Sequence, residues 1–258
     1  MCGIVGIISN KNSVPTVLKG LKLLEYRGYD SAGVGFLNND EVDSVKILGK
    51  ISDLTQEYNK NKIKSNIVIG HTRWATHGKP SKKNAHPFVK SNSALVHNGI
   101  IENSDELKIK YKINNKNLKS ETDTEIIAEI FNLLLIKKLN PIRILEILQK
   151  EIKGTYAIAI IIEKHNKIYC TKKGSPLLIG LSDYEMSISS DVLGLPTTCK
   201  SLIYLEDNDI SVLSLDKLTV LNNKKIKKRR LHKYIKFLEN IDKGNFKHFM
   251  LKEIFEQP

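Results

Sequence analysis

Apolar positions along this chain recur with two different periods. Residues 3–8, Gly-Ile-Val-Gly-Ile-Ile, form an apolar run of strand length and read as a buried strand almost at the N-terminus. Over 14–25, Val14, Val17, Leu18, Leu21 and Leu24 share one helical face, with Ser13 as a plausible cap and Pro15 in the first turn. Strand-like runs follow at 33–37, 43–48 and 66–71. The polar stretch 72–92 shows neither period, and connections of that length are uncommon in compact domains unless they carry function. A strand at 93–97 leads into Asn98-Gly99 and Ile100-Ile101. Helical spacing returns at Thr122, which forms a capping-box pattern with Glu125 ahead of Ile126, Ile130 and Leu134. A further helix, 141–150, opens with Asn140-Pro141. From 155 onward the runs are short and β-rich, at 155–163, 167–171, 176–181, 185–190, 198–205 and 208–214. Strands, helices and strands again predict an α+β layered fold with two sheets and outer helices.

Composition narrows the class. At 258 residues, 41% hydrophobic and 27% charged, the chain has the make-up of a globular protein with a substantial core. No segment approaches the ~20 apolar residues needed to span a bilayer, and the N-terminus has no secretory pattern. Cys2, Cys170 and Cys199 are too scattered for a disulfide framework or a zinc site. A cytoplasmic protein with free thiols is expected. The net charge of +13 is mostly local: residues 224–236 hold eight Lys or Arg and no acid, which leaves +5 elsewhere. Such a run is either a phosphate-binding patch or a solvated face or linker. With no recognition-helix, zinc-finger or aromatic RNA-binding pattern beside it, the solvated reading is preferred, and neither nucleic acid nor membrane is expected as a partner.

Four places could carry chemistry. Once Met1 is removed, Cys2 carries a thiol and a free α-amine on one residue; with reference pKa values near 8.5 and 7.7–8.0, the amine can serve as base for the thiol. Taken alone, Cys2 is more readily a small packed residue. Asn98-Gly99 is a strong hairpin signal, yet an Asn amide and a following Gly N–H can also converge on one developing negative charge. Arg73 lies in the segment Gly70–Gly78 beside Trp74, the only tryptophan, and is suited to clamp a carboxylate; an ordinary cation–π pair is the plainer reading. Asp123, in the first turn of a helix, either offsets the helix dipole or receives an ammonium. His71, His77 and His86 match no zinc spacing, so no metal and no cofactor are expected.

Together these stretches resemble the class II glutamine amidotransferases. The carrying segments are CGIVGI at 2–7, LEYRGYDSAG at 24–33, GHTRWATHG at 70–78, NAHPF at 84–88, VHNGIIEN at 96–103 and SETDTE at 120–125. HFMLKEIFEQP at 248–258 resembles the join to a sugar-isomerising domain found in one branch of that family. The Tyr26–Asp30 and Thr72–His77 segments favour that branch over its sisters. The resemblance implies a four-layer αββα fold of the N-terminal-nucleophile hydrolase type over 2–222, with 223–258 a basic linker toward a sugar-isomerase domain.

The same resemblance assigns roles. Cys2 is the nucleophile, and Asn98 with the Gly99 N–H is the oxyanion hole. Arg73, helped by Thr76 and His77, holds the α-carboxylate of L-glutamine, and Asp123 holds its α-ammonium. Trp74 belongs to the loop that closes over glutamine, and Arg27 orients the site. Full-length members of the branch are implied to be homodimers that pass ammonia to fructose 6-phosphate. This chain alone is expected to release ammonia and to make no glucosamine 6-phosphate. The alternatives are another branch of the class, or a catalytically silent glutamine-binding module.

Overall fold

The computed structural model describes residues 2–61 and 63–234. Met1 and the 248–258 segment therefore lie outside the described residues. The first part of the chain forms β1 (Gly3–Ser9), α1 (Val14–Leu23), β2 (Ser31–Asn38), β3 (Glu41–Leu48), α2 (Ile51–Asn61), β4 (Ile67–Arg73), β5 (Phe88–Lys90) and β6 (Ser93–Ile101). Three helices follow: α3 (Ser104–Lys110), α4 (Asp123–Ile136) and α5 (Pro141–Glu151). The remainder is β7 (Gly154–Ile162), β8 (Ile168–Lys173), β9 (Leu178–Leu181), β10 (Glu185–Ser189), β11 (Ser201–Tyr204), β12 (Ile210–Leu213), β13 (Leu218–Asn222), β14 (Lys225–Ile226) and β15 (His232–Lys233).

The strands form two antiparallel sheets. One runs β15-β11-β9-β10-β1-β4-β2-β3, the other β14-β13-β12-β8-β7-β6-β5. Successive strand residues face opposite ways, and most of the buried apolar residues sort accordingly into three layers. Ile4 and Ile8 of β1 and Ile67 and Ile69 of β4 meet Ala94, Val96, Ala157, Ala159 and Ile161 of the second sheet, so this layer glues sheet to sheet. Val5, Ile7 and Val68 face outward onto Val17, Leu18 and Leu21 of α1 and Ile51 and Leu54 of α2. Leu95, Ile158 and Ile160 face outward onto Ile127, Ile130 and Phe131 of α4 and Ile144, Leu145 and Leu148 of α5. The order helix, sheet, sheet, helix is the four-layer αββα fold.

Two local expectations are modified. Thr122 caps α4 by accepting from Glu125 N, but the Glu125 carboxylate reaches past it to Lys119 N and Ser120 N, so only half of the capping box forms. At α1 the first-turn acceptor is Asn12 Oδ1, bonded to Val14 N at 3.3 Å, while Ser13 Oγ turns to the Asn66 carbonyl at 3.1 Å. The described part of the basic stretch packs onto the body: β14 pairs with β13 and β15 with β11. Within it, Arg229 forms ion pairs with Asp209 and Glu206, both at 2.6 Å.

Candidate active site

Sheet stacking brings four separate segments to one place. Cys2 immediately precedes β1, a central strand flanked by β10 and β4. Arg73 ends β4, Asn98 and Gly99 lie on β6 in the facing sheet, and Asp123 opens α4. Cys2, Arg73, Trp74, Thr76, His77, Gly99 and Asp123 line one pocket, joined by His86, His97, Thr122 and Thr124. A roomier groove elsewhere, bordered by Glu146, Gln149, Lys150 and Asn208, holds no thiol or hydroxyl nucleophile, so chemistry and not size selects the Cys2 pocket.

The thiol is held from the 74 loop and the carbonyl of Cys2 from two side chains. Cys2 Sγ donates to the Trp74 carbonyl at 3.5 Å and accepts from Trp74 N at 3.3 Å. The Cys2 carbonyl accepts from Asn98 Nδ2 at 3.0 Å and from Arg27 Nε at 3.2 Å. Arg27 is thus brought beside the nucleophile without lining the pocket. The approach depends on Gly28, where a Cβ would sit 2.6 Å from the Arg73 carbonyl carbon and the Trp74 nitrogen. Burial pushes the Cys2 thiol above its ordinary value, and the contact with Trp74 and the charge of Arg73 only partly oppose it. A thiol in that state needs a base to become a nucleophile.

Arg73 and Asp123 supply opposite charges without neutralising each other. Arg73 is 3% exposed; its Nη2 donates to the His77 and Gly78 carbonyls, and its Nη1 is buried with no partner. Burial pulls the Arg73 guanidinium below its ordinary value, though the nearby Cys2, Asp30 and Asp123 counter this. Asp123 is 9% exposed and accepts from Ile101 N at 2.8 Å and Thr124 N at 2.9 Å. Among the described residues neither Arg73 nor Asp123 has an ion-pair partner. A buried cation and a buried anion on the wall of one pocket can receive the two charged ends of an amino acid.

Asn98-Gly99 is not a hairpin turn. β6 runs straight through both residues, which pair with Ala157 and Tyr156 of β7. The pairing partner across β7 overrides the local turn signal. Gly99 adopts φ +125, and a Cβ there would meet the Thr155 carbonyl oxygen at 2.0 Å. Asn98 uses its amide NH2 on the Cys2 carbonyl; two hydrogens on that nitrogen leave a second one to donate.

His86 and His97 of the pocket wall form, with His71, a histidine cluster whose sequence spacing gave no hint of its arrangement. The His71 and His86 rings stack at 4.1 Å. His71 Nε2 contacts the His97 carbonyl at 3.0 Å, and His97 Nδ1 contacts Thr124 Oγ1 at 2.9 Å. Burial drives the His71 pKa down to about 3, holds His86 well below the ordinary value and lowers His97. Asp30 was also missed as a support: its carboxylate accepts from Ala75 N at 2.8 Å, and its own N–H donates to the Arg73 carbonyl at 3.0 Å. It sits inside the 24–33 segment already singled out. His86 likewise falls inside NAHPF.

Residues 71–195 match the family described as glutamine amidotransferase domain. Along its whole length the chain is 40% identical to a glutamine–fructose-6-phosphate aminotransferase (isomerizing) of Acinetobacter baylyi, covering 42% of that protein. It is 42% identical to the protein of the same name from Francisella tularensis, covering 43%. The chain therefore spans less than half the length of these curated relatives. In structure it is similar to a glutamine phosphoribosylpyrophosphate amidotransferase from B. subtilis, with a TM-score of 0.72 and 22% identity over 86% of this chain and 49% of that one. That likeness speaks to the fold alone, and the four-layer arrangement is shared with that amidotransferase. With sequence likeness to these relatives end to end and fold likeness over most of its length, the chain carries its match to the glutamine amidotransferase domain in residues 71–195.

Proposed function

We propose that this chain hydrolyses L-glutamine to glutamate and ammonia through a γ-glutamyl thioester on Cys2. The observation that carries the reading is that two buried charges without an ion-pair partner among the described residues, Arg73 and Asp123, line the same pocket as the Cys2 thiol. Arg73 Nη1 receives the α-carboxylate, with Thr76 and His77 beside it, and Asp123 receives the α-ammonium. The side-chain amide then extends toward Cys2 under Trp74.

The α-amine of Cys2, freed by loss of Met1, takes the thiol proton, and the sulfur attacks the amide carbon. Asn98 and the Gly99 N–H donate to the tetrahedral oxyanion. The amine returns its proton to the leaving nitrogen, the C–N bond breaks and ammonia departs. Water then attacks the thioester, regenerating the thiol and releasing glutamate. The names of the full-length relatives support a further step: ammonia passes to fructose 6-phosphate on a second, sugar-isomerase domain, yielding glucosamine 6-phosphate. We assign 2–222 to the glutaminase domain on this reading.

Intact mass after treatment with 6-diazo-5-oxo-norleucine, a glutamine-like electrophile, tests it. The expected product lacks Met1 and carries one adduct, mapped to Cys2. Processed protein that takes up no adduct, and releases no glutamate from glutamine, would leave a silent glutamine-binding module.

A further inference from the structure

A nucleophile at a chain end faces a mechanical problem. Terminal residues fray unless they are tied down, yet catalysis needs the attacking atom held within about half an ångström of its place. Here the ties come from a turn that follows β10. Ser190 brackets Ile4: its N–H donates to the Ile4 carbonyl at 3.0 Å, and its hydroxyl accepts from Ile4 N at 3.0 Å. The next residue, Asp191, reaches to the other side of Cys2. Its Oδ2 accepts from Arg27 Nη1 and from Tyr26 OH, each at 3.0 Å, and Arg27 Nε donates to the Cys2 carbonyl at 3.2 Å. Asp191 is itself fixed, because its Oδ1 accepts from Leu193 N at 3.0 Å and its backbone is bracketed by Ser189 Oγ. The Arg27 side chain is 7% exposed, so the ion pair is screened little.

We infer that Asp191 is a positioning residue for the nucleophile, setting the Cys2 carbonyl, and with it the thiol, through Arg27. The inference rests on the reading of Cys2 as the attacking residue. Asp191 touches no residue of the Arg73–Asp123 pair, so its loss acts on the chemical step and not on capture of glutamine.

The test is a kinetic comparison of the unsubstituted chain, Asp191→Asn, Arg27→Gln and the double variant. Glutamine turnover is measured alongside the rate of labelling by 6-diazo-5-oxo-norleucine, with thermal unfolding as a check on the fold. Expected for Asp191→Asn is a kcat lower by about 10- to 100-fold, KM for glutamine within about twofold, and a parallel drop in labelling rate. The double variant should lose no more than Arg27→Gln alone, because the two residues act in series. If Asp191→Asn does not fold, Asp191→Glu, which keeps the charge and displaces it by one methylene, should show the same split. Asp183→Asn, at an exposed ion pair with Lys200, is the control and should leave kcat unchanged. Unchanged kcat in a folded variant, a change confined to KM, or additive losses in the double variant would each overturn the assignment while leaving the proposed reaction standing. An unsubstituted, processed chain that neither turns over glutamine nor takes the label would overturn the reaction and the assignment together.

Discussion

The side-chain amide of Asn98 donates to the carbonyl of Cys2 at 3.0 Å. The group proposed to meet the oxyanion is therefore also bonded to the residue that attacks. Asn98→Ala removes both functions, and kcat for glutamine hydrolysis should fall by ~10²–10³, with a smaller change in KM. Steady-state glutamate release measures it; a kcat within a few-fold of the parent would exclude an oxyanion role.

Cys2→Ala should abolish glutamine hydrolysis and the electrophile adduct while leaving the fold in place, since the residue precedes β1 and its side chain is only partly enclosed. Circular dichroism and an ammonia assay check the two halves. Substantial residual turnover would require another nucleophile, and Cys170 and Cys199 are poor candidates because neither lines the pocket that holds Arg73 and Asp123.

The charge pair should govern binding. Arg73→Ala or Asp123→Ala removes one receiver of a charged end of glutamine, a loss of about 2–5 kcal/mol for a buried, hydrogen-bonded pair. The expected signature is a KM raised by at least ~30-fold, equivalent to the lower bound of that range. A KM unmoved by either substitution would mean that glutamine is held elsewhere.

The buried imidazoles predict a pH dependence of stability. His71, His86 and His97 are neutral in the fold with lowered pKa values, whereas in the unfolded chain each titrates near 6.5. Unfolding thus takes up protons below pH 6.5. The stability these residues allow is complete above 6.5 and is lost as pH falls toward the folded value, about 3 for His71, by up to ~1.4 kcal/mol per pH unit for each histidine. Denaturant unfolding between pH 6.5 and 5, above most carboxylate titrations, should show this decline, and His86→Phe should flatten it. A flat profile in the parent would mean that the cluster is protonated in the fold.

Much of this was legible beforehand, because the apolar periods are strong where layers meet. Ile4 and Ile8 against Val5 and Ile7, or Ile126, Ile130 and Leu134 in α4, announce their elements from spacing alone. α2 escaped because its buried face rests on Ile51, Leu54 and half-buried Tyr58 amid polar residues, and α3 because it is seven residues long with only Leu107 buried. At the site, Cys2, Arg73, Asn98 and Asp123 were singled out through residue chemistry and a family resemblance. Asp191 could not be, since its role exists only when β10 is laid beside β1. Asn98-Gly99 shows the reverse failure: a true local turn preference, outvoted by a strand partner more than fifty residues away.

The lysine-rich stretch beyond β13 contributes a last strand to each sheet, β14 to one and β15 to the other, each two residues long. An open sheet margin invites a foreign strand to zip onto it, and short, cationic borders discourage that. Lys224, Lys225, Lys227 and Lys228 are all exposed there. The positive charge that looked like an invitation to a polyanion thus lies along the short border strand β14, where cationic side chains disfavour edge-to-edge growth.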